Sequence, residues 1–207
     1  MPCIKTKQVY LVALCCFALA ACGKAPSLTP LTQDAVVLAF GDSLTYGTGT
    51  TRKQSYPAVL SQLIKRKVIN AGVPGEISAN GLQRLPELFE QHSPQLLILC
   101  HGGNDFLQKL GDAEAAENIR QMIRLAQSRG IGVVLVGVPK PGIFVSTASF
   151  YEDIAEEFNI PYEGEILGDI LSNNDMKSDP VHPNAAGYQE FAKALAILLQ
   201  SAGGVSI

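Results

Sequence analysis

Two hydrophobic rhythms alternate along this chain. One consists of short unbroken apolar runs, the other of apolar residues recurring every three or four positions. Ala35 to Phe40 is a six-residue apolar run that stops at Gly41-Asp42-Ser43. A run of this length, closed by turn residues, reads as a strand buried on both faces. Val68-Ile69-Asn70, Leu96 to Cys100 and Gly132 to Val136 repeat the pattern. Ile160-Pro161-Tyr162 is a weaker version, and its proline suits the edge of a sheet. Between the runs, helical spacing governs four sets. These are Tyr56, Val59, Leu60, Leu63 and Ile64; then Leu82, Leu85, Leu88 and Phe89; then Ala116, Ile119, Ile123 and Ala126; and finally Tyr188, Phe191, Leu195 and Leu198. Phe150 to Phe158 reads as a further helix. Asn80 is placed to cap the second set, Pro86 falls inside it, and Gly130 stops the third. Tyr46–Ser55, Gly137–Ala148 and Leu171–Val181 read as loops.

Strand and helix alternate with no internal repeat. The expectation is one three-layer α/β/α domain over residues 35–207, with a mainly parallel, flavodoxin-like sheet of five strands in the order 2-1-3-4-5. Open sheets of this kind bind ligands at the carboxyl ends of their strands, where the strand order reverses. The ends of strands one, two and three meet at that point, and they carry Ser43, Gly72 and Asn104.

Composition narrows the class. Apolar residues make up 47% of the 207-residue chain and charged residues 17%, which suits a globular core. A formal net charge of −3 argues against a nucleic-acid binder, which would need a basic face. The sequence does not give the oligomeric state, and a monomer is expected. Residues 1–21 are different in kind. Lys5 and Lys7 precede a small-residue apolar stretch from Val9 to Ala21, short for a membrane span and typical of a signal peptide. It ends in Leu19-Ala20-Ala21-Cys22, which resembles the lipobox of bacterial lipoproteins. That resemblance implies a lipid on Cys22, and Gly23 after it favours the periplasmic face of an outer membrane. An ordinary secretory signal cleaved nearby, with Cys22 a bystander, is the other reading. Residues 22–34 then read as a tether. Cys3, Cys15 and Cys16 would leave with the leader, so Cys100 has no partner for an intramolecular disulfide.

The candidate chemistry starts from Ser43. A serine just past the first core strand is placed to be a nucleophile, although Gly-Asp-Ser also suits a turn followed by a helix cap. A serine needs a base. His92 lies near a helix end and His101 next to a glycine pair. His182 alone, in Asp179-Pro180-Val181-His182-Pro183, has a carboxylate spaced to hold its ring. The same residues also suit a capped turn. The backbone N–H groups of Ser43 and Gly72 and the Asn104 amide are placed as donors to an oxyanion. A metal site from Cys100, His101, Asp105 and His182 has no recognised ligand spacing. No cofactor and no metal is expected.

Gly41-Asp42-Ser43-Leu44 resembles the first block of the GDSL (SGNH) hydrolases. Asn70-Ala71-Gly72, Gly102-Gly103-Asn104-Asp105 and Asp179-Pro180-Val181-His182 resemble the three further blocks, in family order. The likeness is closest to the bacterial group called thioesterase I, lysophospholipase L1 or arylesterase. It implies an α/β/α serine esterase acting on acyl esters through an acyl-enzyme. It also implies Ser43 as nucleophile, His182 as base, Asp179 as its orienter, and Ser43, Gly72 and Asn104 as the oxyanion hole. Cys100-His101 departs from the group, where an acidic and an apolar residue are expected. Thr45 stands where a Gly-x-Ser-x-Gly elbow would have its second glycine. Two other functions compete: an O-deacetylase of envelope glycans, and a lipoprotein that only binds. An apolar groove between residues 73–80 and 139–145 would mark an acyl-chain enzyme, and a shallow closed site an acetyl esterase.

Overall fold

Val36–Gly41 (β1) lies at the centre of the molecule, with five of its six residues buried, as an apolar run covered on both faces must be. The computed structural model describes residues 25–142 and 145–206. The proposed leader and Cys22 lie outside them. After β1 come Ser43–Tyr46 (α1), Tyr56–Ile64 (α2), Lys67–Gly72 (β2), Ser78–His92 (α3), Leu96–Cys100 (β3) and Gly103–Leu107 (α4). Asp112–Ser128 (α5), Gly132–Val136 (β4), Pro139–Lys140 (β5), Ser146–Thr147 (β6) and Phe150–Phe158 (α6) follow. Tyr162–Glu163 (β7), Ile166–Ser172 (α7) and Ala185–Ser201 (α8) complete the order.

The main sheet runs β2-β1-β3-β4-β7, all parallel. This is the expected order, with β7 as its fifth strand. From β1 the chain crosses to β2 on one side and then returns past β1 to β3 and β4. Right-handed crossovers in opposite directions put their helices on opposite faces. Accordingly α2 packs with α8 on one face, and α3 with α5 and α6 on the other. Tyr56 and Phe191 join α2 to α8 with ring centres 4.4 Å apart. Gly41 stands level with Gly72 on one side and Cys100 on the other, so the loops after β1, β2 and β3 leave the sheet together.

Several local expectations need correction. The second helix starts at Ser78 after Ile77, so Asn80 lies inside it and caps nothing. It also runs through Pro86. Residues 166–172 form α7, so the expected loop at 171 begins as a helix. The expected loop Tyr46–Ser55 begins on the last residue of α1 and contains one 3-10 turn, Arg52–Gln54, and Gly137–Ala148 carries the short hairpin β5–β6. The tether is the largest revision. Leu28 and Leu31 donate backbone N–H bonds to the carbonyls of Ala202 and Gly204, both at 2.8 Å. Thr32 bonds Gln95 through its N–H and its hydroxyl. Leu31 is buried and Leu28 packs against the core. Leu31 and Leu28, five and eight positions before β1, seat this segment on the domain.

Candidate active site

Ser43 is the first residue of α1, held where β1 ends by the residue before it. Asp42 caps α1 through Oδ1, which accepts the Leu44 N–H at 3.0 Å. Its Oδ2 accepts the Asn104 amide at 3.1 Å. Asp42 is buried, and that burial pushes its carboxyl up against the pull of His101 and the Leu44 N–H.

His182 reaches Ser43 from the other end of the chain, with Nε2 2.9 Å from Oγ. Its Nδ1 lies 2.7 Å from Asp179 Oδ2. The tautomer that satisfies both contacts has Nδ1–H donating to the carboxylate and Nε2 accepting the serine proton. Asp179 Oδ1 accepts the N–H groups of Val181 and His182, each at 2.9 Å. One carboxylate therefore folds its own turn and orients the ring. Desolvation raises the Asp179 pKa, but the Val181 N–H and the His182 ring outweigh it and hold the carboxyl below its ordinary value. Asn184 then caps α8 by accepting from Ala186 and Gly187, so the His182 loop is seated on a 17-residue helix.

Ser43, Asn104 and His182 face one cavity of about 290 Å³, and Gly75 joins them in its wall. The rest of the lining is mostly apolar, including Leu107, Val138, Pro139, Val145, Leu171 and Val181. The Asn104 amide nitrogen also donates to the Glu76 carbonyl at 3.0 Å.

Gly72 is the expected site residue that does not join this group. Its N–H donates to Asn70 Oδ1 at 3.1 Å, and it stands outside the described lining of the cavity. The reason is local. Asn70 sits two residues before it and closes an Asx-type turn on the strand end. Gly75, missed in the sequence, lies three residues further on with φ +79°, a conformation that favours glycine. Its N–H donates to no group among the described residues. Pro74-Gly75 was the signal, a dipeptide that marks a turn with positive φ.

His101 is buried beside the site but turned from it. Its Nδ1 accepts the Gly102 N–H at 3.0 Å, which leaves Nε2–H to donate to Glu76 Oε2 at 3.2 Å. Glu76 is bracketed by Arg84 at 2.8 and 2.6 Å. Desolvation raises the Glu76 pKa, yet His101 and Arg84 together lower it to about 2. A Cβ on Gly81 would lie 2.5 Å from His101 Nε2, so α3 can pass this ring only with glycine there. Asp105 accepts from the Ser78 N–H and hydroxyl, at 2.9 and 2.6 Å. Cys100, whose thiol burial pushes well up, His101, Asp105 and His182 are thus each committed to separate surroundings and do not form one ligand set. His92 closes α3 on the surface.

Residues 39–190 match the model of the GDSL-like Lipase/Acylhydrolase family. The chain is 28% identical over 172 residues to "Thioesterase 1/protease 1/lysophospholipase L1" of Escherichia coli strain K12, covering 79% of this chain and 83% of that protein. It is 29% identical over 176 residues to "Esterase TesA" of Pseudomonas aeruginosa PAO1, covering 77% and 87%. Among solved structures, AlinE4, an SGNH-hydrolase family esterase, superposes with a TM-score of 0.65 at 32% identity, over 83% of this chain and 98% of that one.

Proposed function

The chain belongs to the GDSL-like lipase/acylhydrolase family and is an ester-hydrolysing enzyme; from that premise we propose that it cleaves acyl-chain esters through a Ser43–His182–Asp179 triad. The observation that carries this reading is the relay of 2.9 and 2.7 Å from Ser43 through His182 to Asp179, beside an apolar cavity. His182 Nε2 takes the Ser43 proton as Oγ bonds to the acyl carbon. The carbonyl π electrons move onto oxygen, giving a tetrahedral oxyanion. Asp179 holds the ring and stabilises the imidazolium. Collapse breaks the bond to the alcohol or thiol, which leaves with the proton from His182. Water then attacks the acyl-Ser43 ester by the same route and releases the acid.

The oxyanion donors in this reading are the Ser43 N–H, the Gly75 N–H and the Asn104 amide, which exchanges one of its present bonds for the developing charge. Gly75 takes the place expected of Gly72. The substrate reading rests on the cavity wall. Residues 74–75 on one side, and 138–142 with Val145 on the other, supply the groove that an acyl chain requires, and Leu107, Leu171 and Val181 extend it. Hydrolysis of p-nitrophenyl esters from acetyl to palmitoyl, with lysophosphatidylcholine alongside, tests this. Medium chains should be preferred over acetate by kcat/KM, and preference for acetate alone overturns the acyl-chain assignment.

The same proposal includes a lipid on Cys22 and a place at the periplasmic face of an outer membrane, supported by Leu19-Ala20-Ala21-Cys22 and Gly23. No described helix is long and apolar enough to cross a membrane. Mass spectrometry of the mature N-terminus decides it: a diacylglyceryl-modified Cys22 is expected, and an unmodified first residue elsewhere overturns it.

A further inference from the structure

The seating of Leu28 and Leu31 has a directional consequence. Their partners all lie at the amino edge of the sheet. Gln95, which bonds Thr32, immediately precedes β3. Gly132, whose Cα hydrogen faces a Leu28 methyl, opens β4. Ala202 and Gly204 follow the last turn of α8. The cavity lies at the opposite edge. Ser43, Gly75, Asn104 and Val138 follow the carboxyl ends of β1, β2, β3 and β4 in turn.

α8 measures the separation. His182 stands three residues before its first turn and Ala202 directly after its last. Its 17 residues span about 25 Å at the α-helical rise. Six Cα–Cα steps separate Cys22 from the seated Leu28, and they reach at most about 22 Å when fully extended. A lipid at Cys22 would have to run the whole height of the domain, plus the depth of the membrane surface, to bring the cavity mouth to its own bilayer. The segment is too short for that once Leu28 is docked.

We propose that this enzyme stands on its anchoring membrane by the amino edge of the sheet, with the active site turned away, so that its ester substrates arrive through water and not from the leaflet that holds the anchor. The inference rests on the lipid anchor proposed above. It deepens the substrate assignment. Soluble esters, or amphiphiles that leave their own bilayer as monomers, fit this orientation. Esters that stay embedded in the anchoring leaflet do not.

The chain contains no tryptophan, so a single one reports position cleanly. Gln200, exposed at the base on α8, and Gln108, exposed beside the cavity rim after α4, are the two sites. Full-length lipidated Gln200→Trp and Gln108→Trp proteins are placed in phosphatidylcholine vesicles containing dansyl-phosphatidylethanolamine, and energy transfer from tryptophan to dansyl is measured. Transfer from Gln200→Trp should be several-fold more efficient. A flexible Gly/Ser insert of about twenty residues after Gly23, with a mean reach near 25 Å, should erase the difference. The insert should also raise hydrolysis of a dipalmitoyl ester lipid in the same vesicle while leaving hydrolysis of p-nitrophenyl butyrate unchanged. Equal transfer from the two sites, or stronger transfer from Gln108→Trp with the native tether, overturns the orientation. If mass spectrometry finds no lipid on Cys22, the anchor reading fails separately. Coupling a maleimide lipid to the Cys22 thiol of the leaderless chain then gives the same geometric test, since Cys100 is buried.

Discussion

The ring of His101 faces Glu76, with Nε2 3.2 Å from Oε2, and not Ser43. Two histidines therefore border the cavity region with different partners. His182 meets the serine and a carboxylate, whereas His101 links the turn after β3 to the loop after β2. That second link is reinforced by Asn104 on the Glu76 carbonyl and by Asp105 on Ser78. The wall that holds Gly75 and Asn104 is thus tied across two strand ends before any substrate binds.

Ser43→Ala is expected to abolish ester hydrolysis without unfolding the domain, because Asp42 still caps α1 and Gly41 still ends β1. A fluorophosphonate probe should modify the wild type at Ser43 alone. Turnover retained in the mutant, read by single-substrate kinetics, would show that the serine is not the nucleophile.

The two histidines should separate by kinetics. His182→Ala should lose at least about 10²–10⁴ in kcat/KM, the usual worth of a general base, and Asp179→Asn somewhat less. His101→Leu should keep a near-wild-type kcat while losing thermal stability, because Glu76 would lose one of its buried partners. A dead His101→Leu beside an active His182→Ala would reverse the assignment of the base.

Asn104→Ala should lower kcat by about 10²–10³ with a smaller change in KM, as expected for a donor used mainly in the transition state. Asn70→Ala, which frees the Gly72 N–H, should leave kcat within a few-fold of wild type. A loss in Asn70→Ala equal to that in Asn104→Ala would mean that the Asn70–Gly72 turn itself positions the oxyanion donors.

Glu76 should make the fold acid-sensitive. Its folded pKa of about 2 lies below the ordinary value of 4.5. The stabilisation it brings is therefore complete above about pH 4.5 and is lost as the pH falls toward 2. A shift of this size corresponds to about 3 kcal/mol as an upper figure. Urea unfolding of wild type and Glu76→Gln between neutral pH and acid should show a smaller pH dependence in the mutant. Parallel curves would mean that ionised Glu76 gains nothing net from His101 and Arg84.

The chain's own pattern determined the central strands, their order and the edges where chemistry can gather. It did so because a strand buried on both faces must be an unbroken apolar run, and because crossover handedness leaves few topologies. Ser43, Asn104, Asp179 and His182 were legible for a related reason: each follows a strand or precedes a helix, positions that punctuation residues mark. What lay between distant segments could only be decided by tertiary structure. Whether the Gly72 N–H is free for the cavity depends on where Asn70 Oδ1 points. The partner of His101 depends on how closely Gly81 lets α3 approach. The docking of Leu28 and Leu31 depends on the carbonyls of residues 202 and 204, at the far end of the chain. Periodicity reports which face a residue shows, and it carries no information about which remote group waits on that face.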